Sequence, residues 1–184
     1  IVNNIINPTL KGLNEKQHTF NGVLYCGLIE TQKGIFVIEY NCRLGDPETQ
    51  VVLPTLDYDL LTLIQSCIKS KPITNIPKQK MNAVGVVLVS DGYPGKYETG
   101  KKINIDENFN KIDNSYLYHA GTKFKKEQLI TSGGRVLTAV GIGKNINEAR
   151  KIAYQVANTV KYNNKFMRTD IALNYKEKKW IKYQ

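Results

Sequence analysis

The 184-residue chain is 41% hydrophobic and 23% charged, a balance that excludes the disordered and fibrous classes and leaves room for one ordinary domain or two small ones. No window approaches the roughly 18 consecutive apolar residues that a bilayer crossing needs, and Ile1-Val2-Asn3-Asn4 has no basic lead into an apolar run, so a cytoplasmic protein without a membrane partner is expected. The net charge of +10 is uneven, with 6 Lys/Arg against 7 Asp/Glu in residues 1–75 and 20 against 9 in residues 76–184, yet the lysines are scattered without interleaved aromatics, which favours a solvated surface over a nucleic-acid partner.

In chain order, the first strong signal is a pair of β-branched and aromatic runs, residues 23–30 and 34–41, separated by Thr31-Gln32-Lys33 and relieved by Gly34; this pattern predicts a β-hairpin. Asp57 is the expected cap of a helix whose apolar positions Leu60, Leu63, Ile64, Cys67 and Ile68 share one face, ending near Ser70. Residues 71–77 hold two prolines without periodicity and form the expected boundary between a domain over 1–75 and another over 76–184. Beyond it, strands are expected at 83–89, 116–120, 128–131 and 135–142, the last two joined as a hairpin at Ser132-Gly133-Gly134, with a loop at Asp91-Gly92-Tyr93-Pro94-Gly95. Asn145 and Glu148 make a capping box for a helix with Ile152, Ala153, Val156, Ala157 and Val160 on one stripe. Cys26, Cys42 and Cys67 lack paired spacing and read as reduced core thiols. The chain begins without Met, in what reads as an ongoing element, so it need not be a whole gene product.

Two stretches have the residue types for chemistry. In Ile35-Phe36-Val37-Ile38-Glu39-Tyr40-Asn41 the alternation of a strand puts Glu39 and Asn41 on one face, a carboxylate and an amide oxygen that suit Mg²⁺, although an ordinary edge strand with polar residues outward has the same spacing. Arg43-Leu44-Gly45-Asp46-Pro47-Glu48 follows at once; there Arg43 could clamp a phosphate or carboxylate, and Asp46 and Glu48 could hold an ammonium or orient Arg43, or the loop could be a turn held by its own ion pairs. His18 and His119 read as surface or hydrogen-bonded histidines, and the glycines at 92–95 and 133–134 as turn formers.

The segment Gly22-Val23-Leu24-Tyr25-Cys26-Gly27-Leu28 and the run Glu39-Tyr40-Asn41-Cys42-Arg43-Leu44-Gly45-Asp46-Pro47-Glu48 together resemble the signature of the glycinamide ribonucleotide synthetases, which belong to the ATP-grasp superfamily. Ser90-Asp91-Gly92-Tyr93-Pro94-Gly95-Lys96-Tyr97, His119-Ala120-Gly121-Thr122-Lys123, Ser132-Gly133-Gly134-Arg135-Val136-Leu137 and Arg168-Thr169-Asp170-Ile171 extend the resemblance over essentially the whole chain.

The resemblance implies an α+β fold: the carboxy-terminal half of an ATP-grasp subdomain, an antiparallel sheet with helices, and then a small mainly β domain with a packed helix. It implies a ligase that joins glycine to 5-phosphoribosylamine with ATP as co-substrate, releasing ADP and phosphate in purine synthesis. Glu39 and Asn41 would then hold Mg²⁺ or Mn²⁺, and Arg43, Gly45, Asp46, Pro47 and Glu48 would line the pocket for glycine and the acyl phosphate, with Arg43, Asp46 and Glu48 catalytic. More distantly, Lys123 and Arg135 are similar to the pair that grips the ribose phosphate in related enzymes. The family's amino-terminal domains and ATP lid have no counterpart in this sequence, so the chain alone is expected to be inactive and to need them as partners. The alternative is a noncatalytic basic module that binds nucleic acid or docks onto a partner chain, and steep salt dependence of nucleic-acid binding would mark the first of these.

Overall fold

A computed structural model describes residues 1–71, 73 and 80–173. They fall into two units, Ile1–Thr49 with Leu56–Lys78, and Gln50–Thr55 with Gln79–Gln184. Both mix helices with antiparallel strands, an α+β fold.

In the first unit a π-turn, Val2–Ile6, leads into α1 (Asn7–Glu15), where Pro8 presets the backbone for the first helical turn. The Thr9 hydroxyl bonds the Tyr40 hydroxyl at 2.8 Å and so ties α1 to the hairpin of β1 (Tyr25–Thr31) and β2 (Gly34–Asn41). The turn closes as expected: the Thr31 hydroxyl accepts from the Lys33 amide at 3.1 Å and donates to the Gly34 carbonyl at 3.0 Å, with Gly34 at φ 120°. Register shifts once, at Gly27/Leu28, leaving Ile38 as the extra residue of a bulge beside Glu39.

The chain continues through α2 (Thr49–Val52) and a 3₁₀ turn, Leu53–Thr55, to α3 (Leu60–Ile68). Its cap is Asp59, correcting the expectation of Asp57. The residue immediately before Leu60 is the one whose carboxylate reaches the Thr62 amide (2.7 Å) and hydroxyl (2.6 Å), and these bonds hold the Asp59 carboxyl below its ordinary range. The apolar stripe of α3 is not a buried core face in this chain. Leu63 and Cys67 are half-buried, while Leu60 and Ile64 are exposed and Ile68 is 73% exposed. None of the three cysteines is fully buried either, and Cys42 is exposed; they are free thiols, but not core ones. Residues 72 and 74–77 of the expected boundary lie outside the described residues.

The second unit is built on a four-stranded antiparallel sheet. Its first strand in sequence, β3 (Asn82–Ser90), is followed by the short β4 (Asn104–Ile105), then β5 (Ser115–His119), β6 (Thr122–Lys125), β7 (Gln128–Thr131) and β8 (Arg135–Gly143). After α4 (Ile146–Thr159) come β9 (Val160–Lys161) and β10 (Lys165–Phe166), and the sheet order is β10-β3-β8-β5. Val84, Val86 and Leu88 of β3, Leu137 and Ala139 of β8, and Ala149, Ala153, Val156 and Ala157 of α4 form the core. The Asn145 side chain accepts from the Glu148 amide at 2.9 Å; Glu148 reaches back to the Lys144 amide at 2.7 Å, one residue beyond a strict capping box. The opposite helix end is closed by Lys165, whose ammonium donates to the Ala157 and Val160 carbonyls at 2.9 and 2.7 Å. On the sheet face away from α4, Gly85 admits a methyl of Val51, so the Gln50–Thr55 turn seats there.

The hairpin expected at Ser132–Gly134 does not form. β7 pairs with β6 and β8 with β3 and β5, because the Gly133 and Gly134 carbonyls accept from the Ser90 hydroxyl and amide at 3.0 and 2.8 Å and carry the chain into the main sheet. The hairpin that does form turns at Lys126-Glu127, both in the left-handed region (φ 46° and 62°). Long charged residues give no turn signal there. Replacing the pair by Asn-Gly should relieve strain and raise stability by about 1 kcal/mol; thermal melting of the purified chain checks this.

Candidate functional site

The hairpin register puts four residues of the first unit on one face. Tyr25 lies opposite Asn41 and Gly27 opposite Glu39, and directly paired residues of an antiparallel ladder project to the same side. Glu39 and Asn41 do face the same way: Asn41 Nδ2 donates to Glu39 Oε1 at 3.1 Å. Gly27 leaves space for the Glu39 side-chain stem, since a Cβ there would stand 3.0 Å from Glu39 Cγ.

The loop after β2 folds back onto this face. Gly45 is buried, and the Thr49 amide (3.0 Å) and hydroxyl both donate to its carbonyl, closing the turn that contains the cis Asp46–Pro47 peptide. Glu48 lies over Gly45 so closely that any Cβ at 45 would overlap its carboxylate. Its Oε1 accepts from the Tyr25 hydroxyl at 3.0 Å. Burial, then the bond to Glu48, then the negative charges of Glu48 and Glu39 push the Tyr25 hydroxyl above its ordinary range, so it stays a neutral donor to Glu48. Arg43 is exposed and donates to the Leu44 carbonyl at 3.1 Å. Of the two roles read for Glu48, holding an ammonium or orienting Arg43, neither is tested by its bond to Tyr25.

Glu39, Asn41, Gly45 and Glu48 are therefore brought to one side of the hairpin, with Arg43 and Asp46 exposed on the loop. Tyr25 and Gly27 were missed as site residues. Their signal was the cross-strand register, which a reading along one strand does not supply.

Lys123 and Arg135 belong to the second unit. Lys123 is exposed on β6 opposite Ile130; Arg135 opens β8 half-buried, its carbonyl accepting from the Gly121 amide at 2.8 Å. Three sequence-distant motifs meet here. A Cβ at Gly121 would stand 2.6 Å from the Arg135 carbonyl oxygen and 2.7 Å from Gly133 Cα, and one at Gly134 would strike the Tyr93 ring. Beyond turn formation, these glycines permit close approach. His119 Nδ1 lies 3.0 Å from the Thr122 hydroxyl, a hydrogen-bonded surface histidine as expected. A separate open groove of about 490 Å³ is edged by Lys101, Lys102 and Lys161 and contains none of the residues singled out from sequence.

Among the described residues no group of three or more His, Cys, Asp or Glu side chains converges. Among them, too, no single helix is long and apolar enough to cross a membrane.

Comparison with known proteins follows the same division. The family model described as phosphoribosylglycinamide synthetase, C domain, matches residues 83–174, and that for the ATP-grasp (A) domain matches residues 1–49. The phosphoribosylamine–glycine ligase of Halalkalibacterium halodurans is 42% identical over 170 residues, covering 92% of this chain and 39% of its own length. The crystal structure of phosphoribosylamine–glycine ligase from Thermotoga maritima superposes with a TM-score of 0.80 at 33% identity, over 93% of this chain and 42% of that one. The biotin carboxylase subunit of pyruvate carboxylase shares the fold alone, with a TM-score of 0.58 at 13% identity. The chain thus spans about 40% of the length of the ligases it matches.

Proposed function

This chain belongs to the phosphoribosylglycinamide synthetase family, and from that membership we propose that it supplies the metal- and substrate-facing wall of a cytoplasmic phosphoribosylamine–glycine ligase whose ATP lid and amino-terminal domain are contributed by further sequence. The reaction is ATP-dependent formation of an amide between glycine and 5-phosphoribosylamine. ATP phosphorylates the glycine carboxylate, and the amine displaces phosphate from the acyl phosphate.

The observation that carries this reading is the Glu39–Asn41 contact on the face shared with Tyr25 and Gly27. A carboxylate and an amide oxygen two residues apart are hard donors suited to Mg²⁺ or Mn²⁺, ions that commonly take further ligands from phosphate oxygens and water. Such a cation, when bound, offsets the charge of the transferring phosphoryl group. Glu39 and Asn41 would exchange their mutual hydrogen bond for coordination. The loop residues do the rest. The exposed Arg43 offers a planar fork to a phosphate or carboxylate. Gly45 and Pro47 shape the floor, and Asp46 and Glu48 present carboxylates to the glycine ammonium. Lys123 and Arg135 supply cations for the ribose phosphate.

Because the chain spans only about 40% of the length of the ligases it matches, the isolated 184-residue chain should form no glycinamide ribonucleotide from ATP, glycine and 5-phosphoribosylamine. A full-length protein containing it should release ADP only when glycine and the amine are both present. Turnover by the isolated chain would overturn the division of labour; a full-length protein without glycine-dependent ADP release would overturn the activity.

A further inference from the structure

We propose that Tyr25 is a positioning residue that holds Glu48 as the glycine-ammonium carboxylate and keeps it apart from the cation pair Glu39 and Asn41; this deepens, and rests on, the ligase reading. Glu48 is hydrogen-bonded at one oxygen and closely seated at the other. Oε1 accepts from the Tyr25 hydroxyl at 3.0 Å, and Oε2 occupies the space above Gly45 where a Cβ would sit 2.3 Å away. A glutamate on a surface loop otherwise samples several rotamers, and ordering it only on substrate arrival would weaken binding.

Tyr25 also feels a second negative group. Its cross-strand partner is Asn41, and Glu39 and Glu48 are both close enough to act on its hydroxyl. A divalent cation at Glu39 would attract any mobile carboxylate within reach. The phenol hydroxyl, which donates and carries no charge, gives Glu48 a competing partner on the loop side, so one carboxylate is kept for the metal and the other for the substrate amine. A phenylalanine would fill the same space without that donor.

The test is a double-mutant cycle in the full-length ligase containing this sequence. Tyr25→Phe should raise the glycine KM about tenfold while kcat and the ATP KM stay within about twofold, the scale expected for losing a hydrogen bond to a charged group. Gly45→Ala, which leaves the hydroxyl but displaces the carboxylate, should reproduce that split. Tyr25→Phe added to Glu48→Gln should raise the glycine KM no further than Glu48→Gln alone. A purely structural tyrosine would instead lower melting temperature and kcat together. If Glu48→Gln raises the glycine KM but Tyr25→Phe does not, or if the two are additive, the positioning role is refuted while the loop assignment stands. If Glu48→Gln leaves the glycine KM unchanged, the assignment of the loop to glycine fails and the proposal fails with it.

Discussion

Gly141→Val should abolish the cooperative thermal transition of the second unit, or lower its midpoint by at least about 15 °C, a loss on the order of 4 kcal/mol. A Cβ at position 141 would stand 2.3 Å from the Ala149 carbonyl oxygen, 2.4 Å from the Ala153 amide nitrogen and 2.8 Å from Ile152 Cβ. Two of these are backbone atoms of α4, so no rotamer change can relieve the clash. The helix must lift from the sheet, and in doing so it uncovers Ala149, Ala153, Val156 and Ala157, which are all fully buried. Small domains carry only about 5–15 kcal/mol of net stability, and the seating of α4 on β3 and β8 supplies most of the core here. Gly12→Ala, in the first unit, is the open-space counterpart: nothing lies within 4 Å of its added Cβ, and in the interior of α1 the change should be neutral or slightly stabilising and should leave the second unit's transition unmoved. Calorimetry on the two variants decides the point, and a Gly141→Val melt within about 3 °C of the parent chain would mean that α4 is not held by close approach to the strand.

Gly141 also illustrates what a sequence conveys and what it hides. The period of Ala153, Val156, Ala157 and Val160 announced a helix, and its cap at Asn145 was readable from local chemistry alone. The strand expected at 135–142 was equally plain from its apolar run, and it extends one residue further, to Gly143. That Gly141 and Gly143 exist so that α4 can touch the strand backbone was not readable, because close approach is a property of two elements and not of either one. The misplaced hairpin has the same origin. Ser132-Gly133-Gly134 is a strong local turn signal, but the Ser90 hydroxyl and amide, more than forty residues away, take its carbonyls. At Lys126-Glu127 pairing of β6 with β7 enforces positive φ on residues with no such preference.

The same limit applies to the candidate site. Glu39 and Asn41 were legible as a same-face pair because a strand alternates, and the hydrogen bond between them bears that geometry out. Tyr25 and Gly27 were not, since their relevance comes from register across the hairpin. The exposed stripe of α3 and the open faces of β2, where Ile38 is 65% exposed, show the complementary case: the apolar pattern was read correctly, but the described residues do not provide the burial it anticipates.

On the proposed ligase reading, Glu39→Gln in a full-length protein containing this chain should lower kcat/KM by about 10²–10³ and should be partly rescued by raising the metal concentration. The substitution keeps the shape of the side chain and an oxygen for Asn41 Nδ2, so the hairpin face persists while one negative charge is lost. Two opposite unit charges 4 Å apart are worth about 4 kcal/mol at the effective dielectric of a protein surface, and a divalent ion carries twice the charge, so a loss of this size survives considerable screening. Lys33→Ala, in the exposed hairpin turn on the same ribbon, should leave the rate unchanged to within about twofold. Metal titration separates causes: if the glutamine variant loses activity but its half-saturating Mg²⁺ concentration is unaltered, Glu39 acts by something other than holding the cation. If it retains full activity at limiting Mg²⁺, the carboxylate–amide pair on β2 is only a solvated strand surface, and the chemistry assigned to this wall has to be sought elsewhere in the enzyme.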